Sequence, residues 1–136
     1  MLEAAIVMPV AISLMVGCIE FGNLFLKYGT AAKSVRDAAR YLARAPQANL
    51  CTGGLTIATN LAIYGNTSGT GDALIPPTST ITMPGTDCAN PIGNYVTVQA
   101  VVPYTPLMFS GIPFTSIQFF GNATVTHKEL YIGSLL

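Results

Sequence analysis

The chain has 136 residues, of which 51% are hydrophobic and 9% charged, and six basic and six acidic side chains cancel to zero formal charge. That balance fits one small domain carrying a membrane-compatible arm. It lacks the basic excess with which a nucleic-acid binder neutralises phosphates, so no nucleic-acid partner is expected.

The first element is an apolar run, MLEAAIVMPVAISLMVGCIEFGNLFL, in which only Ser13, Glu20 and Asn23 are clearly polar between Ala4 and Leu26. As a helix this stretch is roughly 35 Å long, enough to span a bilayer. A basic start, a shorter apolar core and a small-residue cleavage site would mark a removable signal peptide, and none is evident, so the segment reads as retained. Carboxylates are costly at membrane depth and need a partner. Glu20 is expected to reach the interface. Glu3 can neutralise an α-amino group, its own or a neighbour's, in a low-dielectric setting, or else act as an acid at headgroup level. Pro9 removes one backbone donor and crowds the carbonyl of Ala5, which predicts a kink or local melting. Ser13 and Gly17 have small-xxx-small spacing, and Gly22 adds a second point of close helix approach.

The helical pattern continues to about residue 45. Lys33, Arg36, Arg40 and Arg44, with Asp37, fall on one face. Ala31, Val35, Ala38 and Leu42 fall opposite, at i, i+4, i+7 and i+11, as expected of a helix lying on a sheet. The basic stripe reads as a solvated face, with attraction to phosphates or acidic headgroups as the alternative.

Beyond Pro46 the texture changes to Gly, Thr, Pro and Asn with short β-rich runs. Leu55 to Tyr64 is a short helix or an irregular element, and GNTSGTGDALIPP is a turn-rich surface loop. Residues 78–83, 94–104 and 116–130 read as strands, giving three or four antiparallel strands, with Pro103, Pro106 and Pro113 making the last connection irregular. The expected fold is α+β and pilin-like: a long N-terminal helix, apolar and then amphipathic, packed on a small antiparallel sheet. Its parts are an apolar transmembrane or filament-core helix over 1–26, an amphipathic continuation over 27–45 and a β-rich globular head over 46–136.

Cys18 lies in the apolar helix, whereas Cys51 and Cys88 lie in the turn-rich domain. A Cys51–Cys88 disulfide is expected, worth about 4 kcal/mol on the chain-entropy model and implying an oxidising compartment. Free thiols or metal ligands are the alternative, although no CxxC spacing favours zinc. Basic residues directly after the apolar segment favour a cytoplasmic C-terminal part, opposite to what the disulfide requires. The disulfide is the stronger indicator, because a leader with its own basic residues would dominate orientation.

The stretch EAAIVMPVAISLMVGCIEFGNLFLKYGTAAKSVRDAARYLA resembles the N-terminal half of TadE-like proteins of the tight-adherence (Tad/Flp) branch of type IV pilus systems. The features are an acid leading an apolar run, a proline six residues later, an IEFGN-like helix exit and an AARYLA-like turn. NLAIYGN, VTVQAVVPYTPLM and ATVTHKEL are similar to the family's C-terminal portion. The resemblance implies a prepilin trimmed by a prepilin peptidase, held in the bacterial inner membrane, and then assembled with copies of itself into an extracellular helical filament. A membrane-retained minor pseudopilin acting in assembly is the alternative. Glu3 matches the mature-end glutamate expected to pair with an amino terminus, although that acid is usually fifth rather than third.

Enzymatic chemistry is not expected. His127 is the sole histidine and reads as an exposed or edge residue of a strand. No nucleophile elbow, P-loop, HExxH or dinucleotide fingerprint occurs. Asp72, Asp87, Asn66 and Asn90 lack EF-hand spacing, so no metal and no cofactor are expected. Asn66 and Asn122 begin glycosylation sequons that read as ordinary loop and strand positions. An anchored binding module with Thr/Asn/Gly-rich loops is a third, weaker reading.

Overall fold

The apolar run and its amphipathic continuation form one uninterrupted helix, α1 (Leu2–Arg44), in a computed structural model that describes residues 2–84, 95–106 and 121–133, with side chains from Ile6 onward. Pro9 lies inside this helix. The Ser13 hydroxyl donates to the Pro9 carbonyl at 2.8 Å, a back-bond that serine commonly makes within a helix.

After Pro46 a single 3-10 turn, Gln47–Asn49, leads into α2 (Gly53–Tyr64). The Leu55–Tyr64 stretch is therefore helical, beginning two residues earlier. Gly54 explains how closely this helix sits: a Cβ there would lie 2.6 Å from the Asn49 carbonyl oxygen and 3.6 Å from Leu42 of α1. The helix ends at Gly65, whose φ of 71° is left-handed and whose N–H donates to the Leu61 carbonyl at 3.0 Å, a glycine C-cap.

The following loop is organised by one side chain. Asn66 Nδ2 donates to the carbonyls of Tyr64 at 3.2 Å and Thr70 at 2.6 Å. Its Oδ1 accepts from the Ser68 hydroxyl and from the N–H of Gly69 at 2.8 Å.

Three strands are present among the described residues: β1 (Thr80–Thr82), β2 (Tyr95–Pro103) and β3 (Asn122–Leu130). They form an antiparallel sheet in the order β1-β2-β3, with Ile81 opposite Ala100 and Val98 opposite His127. The expected strand over 78–83 contracts to its three central residues. The expected strand over 116–130 begins at Asn122, while 116–120 lie outside the described residues.

Alternation in β2 sends Val96, Val98, Ala100 and Val102 inward against α1. There they meet Ala31, Val35, Ala38, Ala39 and Leu42, each no more than 1% exposed. Burying a valine or leucine of this kind contributes about 1.5–3 kcal/mol, so the second half of α1 supplies one wall of the core of the head. The C-terminal end of α1 is also tied down. The Ile132 N–H donates to the Ala43 carbonyl at 2.9 Å and the Tyr131 hydroxyl to the Ala45 carbonyl at 3.0 Å, satisfying oxygens that a helix end leaves without intrahelical partners.

Candidate membrane and assembly surface

The first half of α1 contrasts with the second. Ile6, Met8, Val10, Ile12, Leu14 and Met15 are each more than half exposed and together cover about two thirds of the helix circumference. Among the described residues, this is the helix long and apolar enough to cross a membrane. Glu3 lies in its first turn, and its side chain and any pairing with an amino terminus lie outside the described residues. A Cβ at Gly17 or Gly22 would meet nothing within 4 Å, so the small-residue positions are uncovered in the single chain.

From Glu20 onward one face of α1 is covered by the head. Glu20 is 5% exposed, covered by the head. The Tyr104 hydroxyl, just past the end of β2, donates to Glu20 Oε2 at 2.9 Å. Asn23 Nδ2 donates to the same phenolic oxygen at 3.4 Å. The Lys27 ammonium stands over the Tyr104 ring, 5.0 Å from its centroid, a cation–π contact. Burial pushes the Tyr104 phenol above its ordinary pKa, and the Glu20 carboxyl adds to that by accepting its hydrogen bond, while the bond from Asn23 opposes it. Glu20, Asn23 and Lys27 share the helix face turned to Tyr104 by 3.6-residue periodicity, a signal present in the sequence. Their partner is 84 residues away from Glu20, and nothing local to it announces the contact.

Lys33, Arg36, Asp37, Arg40 and Arg44 are exposed, and their helical spacing places them opposite the buried face, as expected of a solvated stripe. A groove of about 300 Å³ opens between α1 and residues 73–77, lined by Leu24, Lys27, Tyr28, Leu74, Pro76 and Tyr104 among others. His127 is partly buried in β3, on the edge of the described sheet, with Nε2 3.0 Å from Glu129 Oε2. Asp72 is exposed, Asp87 and Asn90 lie outside the described residues, and Asn66 is engaged by its own loop. Among the described residues no group of three or more His, Cys, Asp or Glu side chains is placed to hold a metal ion. Cys18 is a free thiol on the surface of α1. Cys51 is partly buried beside the start of α2, and Cys88 lies outside the described residues, as does the expected pairing of the two.

A family model described as TadE-like protein matches residues 1–40, the bare apolar half of α1 together with most of its buried amphipathic half. The N-terminal segment of the chain is therefore TadE-like. No curated protein and no solved structure matches the chain.

Proposed function

We infer, from the TadE-like segment at residues 1–40, that this pilus-associated chain is a structural pilin subunit of a tight-adherence filament. The observation that carries this reading is the division of α1. The apolar side chains of Ile6–Met15 are exposed, while one face of the second half is built into the core of a folded head. Such a helix is stable in lipid and equally stable in a bundle of its own kind, where neighbouring helices replace acyl chains and small residues permit close approach. The chain is trimmed by a prepilin peptidase, waits in the inner membrane with its head on the outer side, and passes into the filament through the assembly machinery. A Cys51–Cys88 disulfide belongs to the same reading, because the head then matures in an oxidising compartment.

Mass spectrometry of sheared extracellular filaments tests the assignment. The chain is expected as the dominant species of that fraction. Its absence there, with abundance in the inner membrane, assigns it instead as a minor pseudopilin that assists assembly. Alkylation of the denatured, unreduced protein tests the disulfide. A single adduct on Cys18 is expected, with an intact mass two hydrogens below the reduced form, and adducts on Cys51 and Cys88 would show that the bond is not made.

A further inference from the structure

Cover on α1 starts along one face, where Val16 is partly buried one turn before Glu20. Ile19 still belongs to the bare apolar segment, whereas the next residue, Glu20, is buried and held by the phenol of Tyr104. Tyr104 follows directly on β2, the central strand of the described sheet, so the contact joins the helix to the most constrained part of the head. From Leu2 to Ile19 the helix rises about 27 Å, close to the thickness of a bilayer hydrocarbon core. Just beyond, Phe21 and Phe25 remain 65% and 69% exposed on the side of α1 away from Tyr104, and Tyr28, which lines the groove it shares with Tyr104, is 47% exposed; Lys27, the first cationic side chain in the sequence, lies between Phe25 and Tyr28. Aromatic rings flanking a cation at the end of an apolar run are the composition of a membrane–water interface.

We propose that the Glu20–Tyr104 contact sets the depth of α1 in the bilayer, placing the head-side hydrocarbon boundary at Ile19–Glu20 and Phe21, Phe25 and Tyr28 at headgroup level. The surface so defined takes lipid as its partner: acyl chains around Ile6–Ile19 and headgroups around the aromatic collar. Sinking further would carry the Lys27 ammonium and the end of the sheet toward hydrocarbon, where charge and unpaired backbone are costly. The transmembrane part then ends about two turns before Leu26, the boundary expected from composition. This inference rests on α1 being a membrane helix.

The chain contains no tryptophan, so a single introduced indole reports its own depth. Full-length Ile12→Trp and Phe21→Trp variants are placed in phosphatidylcholine–phosphatidylglycerol vesicles carrying a nitroxide either at the headgroup or near the acyl terminus. The indole at position 12 is expected to be quenched most by the deep label, and that at position 21 most by the shallow label. Adding Tyr104→Phe, which removes the hydroxyl and keeps the ring, is expected to shift quenching at position 21 toward the deep label. Circular dichroism of the same samples checks that the head is folded, and Glu20→Gln, which weakens the acceptor, replaces Tyr104→Phe if it is not. Deep quenching at position 21 in the otherwise native chain overturns the boundary and leaves the membrane reading standing. An unchanged profile in the folded Tyr104→Phe or Glu20→Gln variant overturns the role of the contact. Quenching at neither position removes the membrane reading itself.

Discussion

Glu3→Gln is expected to leave the protein in the inner membrane and to abolish its incorporation into filaments. The substitution keeps the size and shape of the side chain and removes its charge, so insertion of the apolar helix into lipid is unaffected or slightly eased. In a filament core, by contrast, the carboxylate is proposed to face the amino terminus of a neighbouring subunit. Breaking a buried ion pair by removing one partner costs about 3–5 kcal/mol, equivalent to a loss of about a hundredfold or more in association at each contact. Quantifying the variant in membrane and sheared fractions checks this. Filaments in normal amount from Glu3→Gln would rule out the pairing.

Leu42→Ala is expected to have the largest effect on the stability of the head. Leu42 is fully buried between α2 and the sheet, and one of its methyl carbons lies 3.6 Å from where a Cβ of Gly54 would stand. Truncating such a leucine typically costs about 2–5 kcal/mol, transfer and cavity together. For a domain of about 100 residues each kcal/mol lowers Tm by about 4–8 °C. Thermal melting in detergent, followed by circular dichroism, measures the loss, and Met15→Ala on the bare segment is the control expected to leave Tm unchanged. Equal melting of Leu42→Ala and the native chain would mean that α1 is not a wall of the core.

Periodic features were the legible ones. Ala31, Val35, Ala38 and Leu42 were placed on one helix face by spacing alone, and the same residues are the ones that meet the sheet. Alternating β-branched residues identified β2 to within one residue at each end, because a strand buried on one face must repeat every second position. The weaker readings were those that depend on backbone geometry or on distant partners. The seat of α2 depends on one glycine, Gly54, that allows close approach to Asn49 and Leu42, which composition alone does not reveal. The burial of Glu20 is not legible locally, because a lone carboxylate in an apolar run has no partner nearby in sequence. Its actual partner comes from the far end of β2, and only the folding of the sheet onto α1 brings them together.

The amide of Asn66 has a further consequence. Its nitrogen carries two hydrogens, and both are directed to carbonyl oxygens of its own loop, those of Tyr64 and Thr70. That nitrogen is the atom to which a sugar would be attached at the Asn66-Thr67-Ser68 sequon. Glycosylation replaces one of those hydrogens with a bulky substituent, so it is incompatible with the turn as folded. A glycan on this asparagine would have to be installed while the chain is still unfolded, and its presence would unstitch the link between α2 and β1.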